Sequence, residues 1–167
     1  AEPARGVDAL EAANAILTGL YALRRTYVGI TSRVSGITHP TLVVGLIDGG
    51  INTNVVPDKV TFRLDRRIIP EEEPLAVEAS LRAEIDTLAR QWPQAKVSVR
   101  RVLLAMPFVP IAGQQTLVDA IARRGQQIFG FALPSHGVPI YTDARHYTAA
   151  GIPTVLYGAG PRTLAEA

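Results

Sequence analysis

The residues with the clearest capacity for chemistry lie between positions 49 and 70, where a turn-rich segment leads into an alternating strand pattern. Asn54 stands in the turn and Arg67 at the end of the pattern. A guanidinium is a planar fork that can hold both oxygens of a carboxylate, and an amide can donate a hydrogen bond beside it. Each residue also has a structural explanation, Asn54 as a turn former and Arg67 as a strand-end charge paired with Asp65 or a nearby glutamate. Spacing alone leaves both explanations open.

A second polar cluster is the sequence Thr-Asp-Ala-Arg-His at 142–146. Asp143 and His146 are three residues apart and would share one helical face, and His136 comes shortly before them. Carboxylate and imidazole groups bind zinc, so these three residues form one hypothetical metal site. The alternative, which we expect, is that Asp143 caps a short helix and His146 is an ordinary packed or surface histidine.

Composition narrows the classes of function. The formal net charge is only +2, and the arginine pairs are scattered without aromatic residues between them, so we expect no nucleic-acid partner. No apolar run reaches the roughly 18 residues of a membrane span and no signal peptide is visible, so we expect no membrane partner and a cytoplasmic location. The absence of cysteine excludes disulfides, thiolate metal ligands and cysteine nucleophiles. The glycine loop at 158–161 lacks the residues that a phosphate-binding loop requires.

The elements that must position these residues follow from capping and periodicity. Asp8, with Glu11 three residues later, predicts a helix start, and the alternation of Val60, Phe62 and Leu64 predicts a half-buried strand that sends Arg67 to the opposite face. The predicted order is a helix over 8–25, strands over 41–47 and 60–67, a helix from Pro74 with an apolar stripe reaching Trp92, and a strand over 97–104. A further strand before Ala1 would complete a ferredoxin-like βαββαβ sandwich of the α+β class.

The remainder of the chain has a different pattern. Residues 106–110 read as a linker, followed by helices over about 115–129 and 143–150 and a short buried strand over 153–157 that enters the glycine loop. We therefore predict two domains, 1–105 and 106–167. A strand that feeds a glycine loop is typical of the mouth of a site in an α/β domain.

A resemblance is carried by motifs that stand in order along nearly the whole chain. They are Pro3-x-x-Gly6-Val7-Asp8-Ala9-Leu10, Gly49-Gly50, Asn54-Val55-Val56-Pro57-Asp58, Asp65-x-Arg67, Pro70, Thr142-Asp143-Ala144-Arg145, Gly151-Ile152-Pro153 and Gly158-x-Gly160-Pro161. Together they resemble a family of two-zinc amidohydrolases and metallopeptidases that includes acetylornithine deacetylase, succinyl-diaminopimelate desuccinylase, aminoacylase and carboxypeptidase G. One departure is that Pro139-Ile140-Tyr141 stand where the family commonly has glycines.

The resemblance implies a fragment of such an enzyme, with a ferredoxin-like lid that forms a homodimer and a C-terminal part of the α/β catalytic domain. Asn54, Arg67 and Thr142 would bind an N-acyl amino acid or small peptide, the lid residues often acting toward the partner subunit's site. Two divalent metal ions, zinc or else cobalt or manganese, would be held by residues outside this chain. We therefore expect no catalytic residue and no metal ligand within it, and no activity from it alone. The alternative is a non-catalytic ferredoxin-like module for dimerisation or small-ligand binding.

Overall fold

The computed structural model describes residues 5–158, and the chain divides into two compact units, Ala1–Ala105 and Met106–Ala167. The first unit contains α1 (Ala9–Thr26), a 3-10 turn (Tyr27–Gly29), β1 (Thr41–Gly49), β2 (Val60–Arg67) and α2 (Pro74–Ala89). The second contains α3 (Gln114–Phe129) and α4 (Ala144–Ala149). None of the helices in the described part of the chain is long and apolar enough to cross a membrane.

Helix α1 begins as its capping sequence predicts. Asp8 Oδ1 accepts hydrogen bonds from the amides of Leu10 at 2.8 Å and Glu11 at 3.1 Å, which satisfies two of the amides that a helix start leaves without partners. The apolar face of α1 is buried through Ile16 and Leu20. The predicted helix over 8–25 is therefore confirmed to within one residue.

Strands β1 and β2 form an antiparallel hairpin that runs from the pair Thr41 and Arg67 at one end to Gly49 and Val60 at the other. A bulge interrupts the register between Val44 and Leu46. Burial alternates along β2 as period two predicts, so its apolar side chains pack toward the helices while Arg67 is exposed. The core cluster of this unit consists of Ile16, Leu20, Tyr27, Leu42 and Ile85, with partly buried neighbours that include Val44, Phe62, Leu64 and Leu88.

Helix α2 begins at Pro74, and Glu73 caps it by accepting from the amides of Leu75 at 3.1 Å and Ala76 at 2.6 Å. A proline suits the first helical position because its missing N–H would have no helical partner there. The helix ends at Ala89. Trp92, which we predicted on its apolar stripe, therefore lies beyond its end.

The predicted strand over 97–104 is wrong for this structure, in which these residues belong to no sheet. Side chains of α2 hold the segment instead. Arg82 Nη1 donates to the Val99 carbonyl at 2.9 Å, and Arg101 Nη2 lies 2.5 Å from Glu78 Oε2. Over residues 5–158 the sheet therefore has two strands, so the α+β class is confirmed, whereas the ferredoxin-like sandwich is not formed. An alternating sequence becomes a strand only where a neighbouring strand supplies its hydrogen bonds.

In the second unit, α3 lies between two glycines with positive φ, Gly113 at 86° and Gly130 at 79°, a conformation that glycine adopts without steric cost. Helices α3 and α4 agree closely with the two predicted there. Residues 153–157 form no strand, because no partner strand lies beside them in the described part of this unit. Residues 159–161 of the glycine loop lie outside the described residues.

Candidate functional site

Arg67 is the last residue of β2 and lies on the face of the hairpin that points away from the helices. Its Nε donates to Asp65 Oδ1 at 2.8 Å, and both side chains are 57% exposed. The ion pair that we considered as the structural explanation for Arg67 therefore exists. An exposed pair of this kind contributes little to stability, and the guanidinium has further N–H donors for a ligand.

The neighbouring Arg66 points the other way and was missed by our sequence predictions. Its side chain is only 8% exposed and forms a bidentate ion pair with Glu72, in which Nη2 donates to Oε1 at 2.6 Å and Nη1 donates to Oε2 at 3.3 Å. The guanidinium lies 4.2 Å from the centre of the Tyr27 ring. The alternation of β2 gave the signal, because period two puts position 66 on the core face, where a charge requires a partner.

This ion pair also contacts the backbone around Arg67. Arg66 Nη1 donates to the Arg67 carbonyl, and Glu72 Oε2 accepts from the Ile69 amide at 3.0 Å. The Glu72 amide in turn donates to the Ile69 carbonyl at 3.0 Å. The end of β2 is therefore attached to the turn before α2 at several points.

Asn54 lies exposed in the connection between β1 and β2. The local turn is built by its neighbour Asn52, whose Oδ1 accepts from the Thr53 amide at 2.7 Å and whose carbonyl accepts from the Val55 amide at 3.2 Å. Asn54 is one of the two central residues of this turn, so the structural explanation that we considered for Asn54 holds as well.

The hairpin does not bring Asn54 beside Arg67 within one copy of the chain. The connection that carries Asn54 joins the strands at the Gly49 and Val60 end, whereas Arg67 ends the ladder at the opposite end. Because a strand rises about 3.3 Å per residue, the seven steps from Val60 to Arg67 span roughly 23 Å. Our expectation of an amide next to the guanidinium does not hold for a single copy.

The acidic turn before α2 also fixes the segment that follows α1. Glu71 Oε1 accepts from the Arg33 amide at 2.8 Å and from the Ser32 hydroxyl at 3.2 Å. The Arg33 amide is the main cause of a pKa of Glu71 below the ordinary glutamate value. Glu78 on α2 has a lowered pKa as well, first because of Arg101 and then because of Arg82.

In the second unit, Thr142 is half-buried just before α4, and its Oγ1 accepts from the Ala144 amide at 3.3 Å. Arg145 Nη1 donates to the Thr142 carbonyl at 2.8 Å while its guanidinium lies 3.8 Å from the centre of the Tyr141 ring. Asp143 occupies the cap position of α4, as predicted, but its side chain accepts no capping hydrogen bond. The Thr142 hydroxyl instead accepts from the first amide of the helix.

Asp143, His136 and His146 are all exposed. Within residues 5–158 no group of three or more histidine, aspartate, glutamate or cysteine side chains could hold a metal ion, and these three do not form such a group. His39 is bound locally, through Nδ1 to the Pro40 carbonyl at 2.8 Å.

Comparison with known proteins adds one finding to this geometry. The family model of the M20 peptidase dimerisation domain matches residues 1–93, more than half of the 167-residue chain. That range covers the hairpin, Asn54, Arg67 and the Arg66–Glu72 pair. The chain matches no curated protein. The chain belongs to the M20 peptidase family, through that family's dimerisation domain.

Proposed function

We propose that the full-length protein is a metal-dependent hydrolase that cleaves an amide or peptide bond of an N-acyl amino acid or small peptide. In this proposal residues 1–105 provide self-association and bind the substrate carboxylate through Arg67. The family match supports a peptidase-type hydrolase that self-associates. The observation that carries the carboxylate role is the exposed guanidinium of Arg67 at the end of β2. The backbone carbonyl of Arg67 accepts a hydrogen bond from Arg66 on the core side of the strand.

The resemblance to the deacylases and carboxypeptidases named above suggests where the remaining parts lie. Two divalent metal ions, zinc or else cobalt or manganese, would be bound by residues outside this chain, and 106–167 would be part of the catalytic domain with Thr142 lining its pocket. Isolated 1–167 would then be inactive. A ferredoxin-like lid in the full-length protein requires a strand that pairs with 97–104, so amide hydrogen exchange there should be slow. Fast exchange in the full-length protein would contradict this arrangement.

The separation of Asn54 and Arg67 supports a shared site. Their positions at opposite ends of a hairpin about 23 Å long mean that one small substrate cannot contact both from a single copy. If both bind substrate, they do so from two subunits of a homodimer. When equal amounts of Asn54→Ala and Arg67→Ala subunits are mixed and pair at random, about half of the dimers are mixed and each mixed dimer has one intact site of two, so about a quarter of native activity should be restored. No restoration in mixed dimers would exclude sharing.

The role of Arg67 is tested with the full-length enzyme and two substrates that differ only in a free carboxylate or a carboxamide. Charged hydrogen bonds contribute about 1.5–3 kcal/mol, so Arg67→Ala should reduce kcat/KM for the carboxylate substrate by roughly 10- to 100-fold. The carboxamide substrate should be affected little. Arg63→Ala is the matched control, because Arg63 is an exposed arginine on the same face of β2.

An unchanged carboxylate preference in Arg67→Ala would remove Arg67 from the site. A full-length protein that binds no divalent metal and hydrolyses no N-acyl amino acid, yet dimerises, would instead favour the non-catalytic dimerisation or ligand-binding module.

A further inference from the structure

Arg66 and Glu72 form a buried pair directly behind the proposed carboxylate-binding residue. Their side chains are 8% and 14% exposed, and the shorter of their two contacts is 2.6 Å. Arg66 lies on the core side of β2 and Glu72 is bound to it there, so a substrate on the exposed face where Arg67 lies would not contact them.

The stability that this pair gives the fold does not by itself explain its presence. Removing two charges from water is expensive, and apolar residues of similar volume often serve as well at such positions. Arg66 Nε is also buried without a hydrogen-bond partner among the described residues, which adds a further cost. A buried pair of this kind can instead fix one arrangement of the backbone around it.

The contacts of the pair converge on the backbone that carries Arg67. The sheet ladder ends at Arg67, beyond which no β1 residue holds the chain. Arg66 donates to the Arg67 carbonyl and Glu72 accepts from the Ile69 amide, so the backbone is held at Arg67 and again two residues later. The Tyr27 ring under the Arg66 guanidinium connects this arrangement to the end of α1.

We propose that Arg66 and Glu72 are positioning residues that set the direction of the Arg67 side chain toward a substrate carboxylate. This inference rests on the proposed function of Arg67. Charged recognition of a carboxylate by a guanidinium depends on the alignment of two parallel hydrogen bonds, and a displacement of about 1 Å can cost up to about 100-fold in rate.

The test uses the full-length enzyme and the ratio of kcat/KM for the carboxylate substrate to that for its carboxamide analogue. Glu72→Gln retains the size and an oxygen acceptor for the Ile69 amide but loses the charge, and Arg66→Lys retains the charge but loses the fork. We expect each to lower the ratio by about 10-fold or more, mainly through KM. Glu71→Gln is the matched control, because this adjacent glutamate binds residues 32–33 rather than Arg67, and its ratio should stay within about twofold.

Combination with Arg67→Ala separates positioning from general loss of structure. If the pair acts through Arg67, adding Glu72→Gln to Arg67→Ala should lower the ratio no further. Calorimetric binding of an uncleavable N-alkyl amino acid and its carboxamide should give the same pattern without turnover. Thermal unfolding identifies variants that are folded at the assay temperature, and Glu72→Gln carries the test if Arg66→Lys is not folded.

The possible outcomes distinguish this inference from the proposed function. A normal ratio in Glu72→Gln and Arg66→Lys, together with a lowered ratio in Arg67→Ala, overturns the positioning role and leaves the carboxylate role intact. A normal ratio in Arg67→Ala overturns both. Equal losses on both substrates in the Glu72 and Arg66 variants would show a structural role only and would also overturn the inference.

Discussion

The contact between α1 and α2 can be tested by replacing Gly19 with alanine. Gly19 lies inside α1, where alanine is favoured over glycine by about 1 kcal/mol. A Cβ at this position, however, would lie 2.4 Å from Leu88 Cδ2 and 2.6 Å from Leu88 Cδ1 on α2. Carbon atoms pack at about 3.5–4.0 Å, so both methyl groups would have to move.

The two effects oppose each other, and their sizes decide the sign. Overpacking of this kind costs about 1–3 kcal/mol, so Gly19→Ala should lower the free energy of unfolding by about 0–2 kcal/mol. In a Leu88→Ala background the obstructing methyl groups are gone. There the same substitution should instead raise the free energy of unfolding by about 1 kcal/mol.

Urea unfolding followed by tryptophan fluorescence measures this difference, because Trp92 is the single tryptophan of the chain and lies just after α2. Gly29→Ala is the control, since a Cβ at Gly29 would meet no atom within 4 Å. The reasoning is refuted if Gly19→Ala has the same effect in both backgrounds, or if it stabilises the native chain by the full helical preference.

Two further predictions concern the ends of the helices and the acidic turn. Asp8→Ala should reduce the free energy of unfolding by about 1 kcal/mol, measured by urea unfolding, because the first turn of α1 loses both acceptor contacts; no change would mean that water replaces the cap without cost. The lowered pKa of Glu71 means that its contribution to stability is complete above the ordinary glutamate pKa and is lost as the pH falls through the folded-state value. Glu71→Gln should therefore flatten the acid side of the stability curve relative to the native chain, and an unchanged pH slope would contradict the role of the Arg33 amide.

Much of the first unit follows from sequence patterns that operate over a few residues. Asp8 and Pro74 predict helix starts because the preferences for these residues involve only the first turn. The alternation in β2 determines which of its side chains face the core. The same alternation placed Arg67 on the exposed face, where the structure has it. It also implies that Arg66 faces the core, a consequence that our sequence predictions missed together with its partner Glu72.

The wrong predictions concern features that depend on which other segment of the chain lies beside a residue in the folded structure. Residues 97–104 have the alternation of a strand, but in this structure they contact side chains of α2 rather than another strand. The stripe of α2 continues to Trp92 in sequence, yet the helix ends at Ala89. Periodicity describes which surface a segment could bury and does not say whether a partner lies there.

The sequence by itself determined the local parts of this protein: the helix starts, the positions of the strands β1 and β2, and the exposure of Arg67. The tertiary structure alone decided that Arg66 pairs with Glu72 over Tyr27 and that Asn54 lies at the far end of the hairpin from Arg67. Capping and alternation are settled within a few residues by backbone geometry. A buried ion pair and the length of a hairpin depend on where folding places separate segments, and no local pattern contains that information.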